Sequence, residues 1–210
     1  NHKHRRDLLA LDGSKVIMLT SFNAGSGKSF ITANLSKVIG LKNKKVLAID
    51  LDLRHCSLSG IVGHPKVGIS HYLAGLDDNT DALIKKDALG IGVDVMPVGI
   101  IPPNPTELLL NNKMGELMEK VKDQYDYIII DCPPIDIVAD TIILKKYADI
   151  SLFIIRAGVM DRRLLKEVNE LYQENTYKHM AIVLNGTKYV SSRYGNYRYG
   201  YYYAYGYCYV

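Results

Sequence analysis

The chain has 210 residues, 48% of them apolar and 23% charged. That suits one domain of about 100–200 residues with a proper core, and it excludes a disordered, collagen-like or cysteine-stapled chain. The net charge is +4, and no apolar run approaches the roughly 20 residues that cross a bilayer.

Asn1-His-Lys-His-Arg-Arg-Asp7 is polar, with no initiator Met and no apolar stretch of a signal peptide. Residues 1–15 therefore read as a linker at the cut edge of a longer protein. Val16 to Thr20 is a short apolar, β-branched run that ends in Ser21-Phe-Asn-Ala-Gly-Ser-Gly-Lys-Ser29. Ile31, Leu35, Val38 and Ile39 then recur at helical spacing up to Gly40. Val46 to Asp50 predicts a buried parallel strand ending in acid, and further strands are expected at Gly92–Pro97, Tyr127–Asp131, Ile150–Ile155 and Met180–Leu184. A helix is expected from Asn104 as N-cap and Pro105 at the first position. Glu107 falls in its first turn, and Leu110, Met114, Leu117 and Val121 lie on one face. Two more helices are expected at Asp136–Lys146 and Arg162–Glu174. Strands alternating with helices predict an α/β fold over residues 16–188, a parallel sheet covered on both faces, with ligands beyond the carboxyl ends of its strands.

Of 16 tyrosines, ten fall between Tyr189 and Tyr209, interleaved with glycine and serine and without period. Residues 189–210 therefore read as a flexible tail rather than part of the fold. No acid follows Glu174, whereas Lys178, Lys188, Arg193 and Arg198 do, so the end of the chain is basic. By composition alone such a segment suits self-association or stacking on nucleic acid as well as any other role.

The chemistry concentrates in a few residues. Ala24-Gly-Ser-Gly-Lys-Ser29 lies between a strand and a helix, the context a phosphate-binding loop requires. Its glycines let backbone N–H groups face phosphate oxygens, Lys28 meets the β and γ phosphates, and Ser29 offers a hydroxyl to Mg²⁺. The common spacing asks for glycine where Phe22 stands. Asp50 and Asp52 are two apart, so strand alternation would put both on one side near the loop. Asp131 ends the run Ile128–Ile130 as a metal-organising acid does. Three acids and Ser29 suit Mg²⁺, a hard cation. The three cysteines, Cys56, Cys132 and Cys208, have no metal spacing and read as reduced thiols; the histidines form no H-E-x-x-H pair.

These residues, with Val46-Leu-Ala-Ile-Asp-Leu-Asp-Leu-Arg54, Gly68-Ile-Ser-His-Tyr-Leu-Ala-Gly75, Pro102-Pro-Asn-Pro-Thr-Glu-Leu-Leu109, Tyr125-Asp-Tyr-Ile-Ile-Ile-Asp-Cys-Pro-Pro134, Leu184-Asn-Gly186 and the tyrosine-rich end, resemble the cytoplasmic kinase domain of the bacterial tyrosine kinases. Those enzymes control chain length and export of capsular and extracellular polysaccharide. The resemblance implies a P-loop NTPase fold of the deviant Walker A type, with ATP and Mg²⁺ as cofactors. Lys28, Asp50, Asp52 and Asp131 would be catalytic, with Ser29 and the three acids on the metal. One of Asp50 and Asp52 would accept the tyrosine proton, and Asn185 would face the adenine. The acceptors would be Tyr194, Tyr197, Tyr199, Tyr201, Tyr202, Tyr203, Tyr205, Tyr207 and Tyr209, presented to a neighbouring subunit of a ring-like homo-oligomer. Phosphate on them would turn a basic tail acidic and loosen subunit packing. The family also implies a cognate phosphatase, the polysaccharide export machinery as partner, no nucleic acid, and a place at the inner face of the plasma membrane. Arg5 and Arg6 stand where the family has a basic assembly helix, and Ser57 stands near its regulatory tyrosine. Asn23 occupies the place of an extra lysine in partition and division-site (ParA/MinD-like) ATPases, which counts against such a positioning switch and leaves room for another cation. The other alternative is a copolymerase module that binds nucleotide without catalysis.

Overall fold

Alternation along the strands sorts the apolar residues into two layers. In the computed structural model, which describes residues 13–135 and 140–187, one sheet contains β1 (Lys15–Thr20), β2 (Val46–Asp50), β3 (Val93–Met96), β4 (Tyr127–Asp131), β5 (Ile150–Arg156) and β6 (Met180–Asn185). The strands are parallel throughout, in the order β3-β2-β4-β1-β5-β6. The helices are α1 (Lys28–Gly40), α2 (Ser57–Ile61), α3 (Ile69–Leu73), α4 (Thr80–Leu83), α5 (Pro105–Leu110), α6 (Lys113–Lys122), α7 (Asp140–Leu144) and α8 (Leu164–Gln173), with a 3₁₀ turn at Lys145–Tyr147.

Val16, Met18, Leu47, Ile49, Ile128 and Ile130 enter one core layer together with Tyr72 of α3 and Met114, Leu117, Met118 and Val121 of α6. Ile17, Leu19, Val46, Ala48 and Ile129 enter the other, where Ile31, Ala33, Leu35 and Ile39 of α1 pack against them. Each fully buried aliphatic side chain of this kind contributes about 1.5–3 kcal/mol. Because both faces are covered, β2 and β4 are near-continuous apolar runs with the bounds expected from sequence. The other strands differ from expectation by one residue, at one end in β1, β5 and β6 and at both ends in β3.

The helix expected through Val121 is instead two helices. The chain turns extended at Asn111 (ψ 146°), where Asn111 Oδ1 accepts from the Lys113 N–H and Nδ2 donates to Leu73 O. Asparagine competes in this way for backbone groups that a helix would use. In consequence Leu110 is 60% exposed and Leu109 takes the buried place. Asn104 stands at the N-cap position, but its side chain donates to Glu107 Oε2 rather than accepting from the helix. Val38 points to solvent. The helices α2, α3 and α4 have four or five residues each, too few to show a period in sequence.

The expected helix start at Asp136, the segment holding Arg5 and Arg6, and the tyrosine cluster with Cys208 lie outside the described residues. Among the described residues no helix is long and apolar enough to cross a membrane.

The turn after β3 is seated by close backbone contact. Ile69 and Ser70 N–H groups donate to Pro97 O and Val98 O, and a Cβ on Gly68 would run into Pro97 O and come 2.6 Å from Gly99 N. Gly68→Ala should lower stability in urea unfolding by about 1–3 kcal/mol, the usual cost of overpacking against groups that cannot yield. A change under about 0.5 kcal/mol would show that the turn can move.

Candidate active site

Where β1 ends, the loop to α1 is anchored before it is shaped. Phe22, in the place where glycine was expected, is buried and packs its ring at a tilt against Phe153 of β5, with centroids 5.8 Å apart. It therefore holds the loop root in the core. The Asn23 carbonyl then accepts from Ser21 Oγ (2.7 Å) and Ser26 Oγ (2.9 Å), which folds the loop over itself. Gly27, at φ 93°, caps α1 without any side-chain hydrogen bond, so the helix start keeps its N–H groups for an anion. Lys28 is buried at that start, and Ser29 is half-buried beside it. Arg156 Nη1 reaches Gly25 O at 2.8 Å, and Asn185 Nδ2 reaches Ser26 O at 2.9 Å. Asn185 Oδ1 accepts from the Gly186 N–H at 2.8 Å.

Sheet register supplies the acids. Asp50 and Asp131 are direct partners across β2 and β4, and Asp131 also pairs with Leu19, next to the loop, across β4 and β1. Both carboxylates are fully buried. The sequence expectation that alternation pairs Asp50 with Asp52 needs a different reason, since β2 stops at Asp50. A turn does the work: the Asp52 N–H donates to Asp50 Oδ1 at 3.2 Å. Asp50 Oδ2 accepts from both the N–H and Oγ of Ser59, each at 2.7 Å, and Ser59 Oγ in turn accepts from the Val98 N–H. Asp52 Oδ1 accepts from the His55 N–H and faces His55 Nδ1, both at 3.1 Å.

Burial raises both Asp50 and Asp131 above the ordinary carboxylate range. For Asp50 the Ser59 hydrogen bonds offset part of the rise. For Asp131 the neighbouring Asp50 adds to it, while Ser29 and Lys28 pull the other way. Neither Asp131 oxygen has a hydrogen bond of good geometry. A fully buried carboxylate in that condition, beside a hydroxyl and an ammonium, fits a site completed by a divalent cation and its waters. No three His, Cys, Asp or Glu side chains form a closed metal cage among the described residues.

Lys28, Ser29, Asp50, Asp52 and Asp131 thus stand at one end of the sheet. Cys56 and Cys132 are buried free thiols whose pKa values burial pushes up, which leaves them inert. Sequence reasoning missed Ser59, His55 and Arg156. A charged residue closing an apolar strand was the signal that found Asp131, and it also applies to Arg156; nothing in the local sequence marks Ser59.

Residues 14–180 match a family model described as an AAA domain. The chain is 36% identical over 195 residues to the putative tyrosine-protein kinase EpsB of Ralstonia solanacearum, covering 92% of this chain and 25% of that protein. It is 33% identical over 187 residues to the tyrosine-protein kinase CpsD of Streptococcus agalactiae, covering 88% of this chain and 80% of CpsD. The chain thus spans about a quarter of EpsB and most of CpsD. Among solved structures, the kinase domain of the Escherichia coli tyrosine kinase ETK superposes with a TM-score of 0.79 at 32% identity, over 95% of this chain and 77% of that one.

The raised Asp131 carboxyl makes stability depend on pH. Its folded form holds the proton more tightly than the unfolded chain, whose carboxyl titrates near 3.8, so stability present in acid is lost as pH rises through the raised folded value. In metal-free, nucleotide-free buffer, Asp131→Asn should melt higher than wild type at about pH 8, with the gap closing toward about pH 4. A gap that is absent or grows in acid would contradict a raised carboxyl at this position.

Proposed function

Because the chain belongs to the family of bacterial tyrosine-protein kinases, we propose that it transfers the γ-phosphoryl group of ATP to tyrosines of its own C-terminal segment. The observation that carries this reading is Asp131, a buried carboxylate without a hydrogen bond of good geometry, set by strand register beside Asp50 and close to Lys28 and Ser29. A positioning ATPase has no use for ten tyrosines in a basic tail.

In this reading the N–H groups of the loop and Lys28 hold the β and γ phosphates. Ser29 and Asp131 hold Mg²⁺, with Asp50 beside them; when bound, the ion spreads charge over the phosphate oxygens. Asp52 is the proton acceptor. Asp50 already accepts three hydrogen bonds, from the Ser59 N–H and Oγ and from the Asp52 N–H, and both Asp50 and Asp131 are sealed from solvent, whereas Asp52 is 4% exposed. The phenol oxygen bonds to the γ phosphorus as the bond from phosphorus to the β-γ bridging oxygen breaks. ADP leaves, and the phenolic proton passes to Asp52.

The acceptors are Tyr194, Tyr197, Tyr199, Tyr201, Tyr202, Tyr203, Tyr205, Tyr207 and Tyr209. They are offered to a neighbouring copy in a ring-like assembly, where tethering raises their effective concentration. Each phosphate adds roughly −1.5 to −2 charges, so a few reverse the sign of the tail. The assembly stands at the inner face of the plasma membrane, works with polysaccharide polymerisation and export machinery, and is reset by a tyrosine phosphatase.

Incubation of the chain with Mg-ATP, followed by mass spectrometry of the C-terminal peptide, should find phosphotyrosine in wild type and none in Lys28→Met. Asp52→Asn should lower the transfer rate by about 100-fold or more while leaving ATP binding within a few-fold, as removal of a proton acceptor does. ATP turnover with an unmodified tail would overturn the kinase reading. Phosphorylated full-length protein should also form smaller assemblies in light scattering than the unphosphorylated form; equal distributions would refute the charge-reversal role.

A further inference from the structure

We infer that Arg156 and Asn185 act together as a brace that presets the phosphate loop, making them positioning residues of the nucleotide site. The inference rests on the reading above, that a nucleotide occupies this loop.

The two residues are register partners at the carboxyl ends of β5 and β6, so a single sheet edge directs both side chains at the loop. They take adjacent carbonyls: Arg156 Nη1 holds Gly25 O at 2.8 Å and Asn185 Nδ2 holds Ser26 O at 2.9 Å. Every peptide bond here is trans, and across a trans peptide the C=O and the following N–H point in opposite directions. Pulling the two carbonyls toward β5 and β6 therefore turns the N–H groups of Ser26 and Gly27 the other way. The Ser26 N–H closes the tight turn at Ala24–Gly25 toward Asn23 O, whereas among the described residues no backbone acceptor takes the Gly27 N–H, so that donor stands ready for a phosphate oxygen.

The brace also accounts for the glycine at position 27. A Cβ there would run into Asn185 Nδ2, and the backbone is in the left-handed region besides. Asn185 can close on the loop only because that side chain is absent. Lys28 and the acids are not among the brace contacts, so its effect reaches the phosphates through loop geometry.

The test measures MgADP binding to the 210-residue chain by isothermal titration calorimetry, with nucleotide-free melting temperatures as a control. Arg156→Met and Asn185→Leu should each weaken MgADP about tenfold, the worth of one hydrogen bond to a charged or well-ordered group. Arg156→Lys, which keeps a donor of similar reach, should recover most of the loss, and Asn185→Asp serves if the leucine variant fails to fold. The double variant should lose little more than the worse single one, because a loop released once is not released again. Wild-type binding by both single variants, or losses that multiply in the double variant, would overturn the brace; the second result would assign Arg156 a direct charge effect on the nucleotide. MgADP binding needs no phosphoryl transfer. Failure to phosphorylate tyrosine therefore leaves the brace standing, and failure of the brace leaves the kinase reading intact.

Discussion

Asp50 and Asp131 lie opposite one another across β2 and β4, so two carboxylates share a sealed layer at the carboxyl end of the sheet. Ionising both there is costly, because burial removes water and each charge opposes the other. The surrounding structure answers for one of them. Ser59 gives Asp50 two donors from the start of α2, and the Val98 N–H holds the same hydroxyl, which ties the acid to the turn after β3. Asp131 is left to Lys28, Ser29 and whatever ligand arrives. The apolar runs Val46–Ile49 and Ile128–Ile130 do more than fill the core: they supply the dry surroundings that raise the pair of acids above the ordinary carboxylate range.

The position of β1 then decides which groups meet. β1 runs between β4 and β5, so the loop leaving it has the acids on one side and Arg156 with Asn185 on the other. Phe22 fixes the root of that loop in the core by packing against Phe153, itself on β5. The glycine missing from the common spacing is thus replaced by an anchor, and the two glycines that remain at positions 25 and 27 take the left-handed backbone that the turn requires.

Strands were easy to foresee because a strand buried on both faces must be apolar almost without interruption, as Val46–Ile49 and Ile128–Ile130 are. Helices were harder. The apolar spacing from Leu110 to Val121 satisfies a single helix, and the break at Asn111 follows from a hydrogen bond to Leu73 O, a residue 38 positions away. No local rule contains that partner. The same holds for Ser59, an unmarked serine until α2 brings it under Asp50.

The sequence by itself determined the parallel α/β class, the phosphate loop, the three acids and the resemblance to a tyrosine kinase, because each is written in neighbouring residues or in one strand's pattern. Only the tertiary structure decided that Asp50 and Asp131 are register partners, that Asp52 reaches them through a turn, and that Arg156 and Asn185 hold the loop from the far strands. Those contacts join residues up to 159 positions apart. They exist only once strand order and register are set, and packing of two apolar layers sets both.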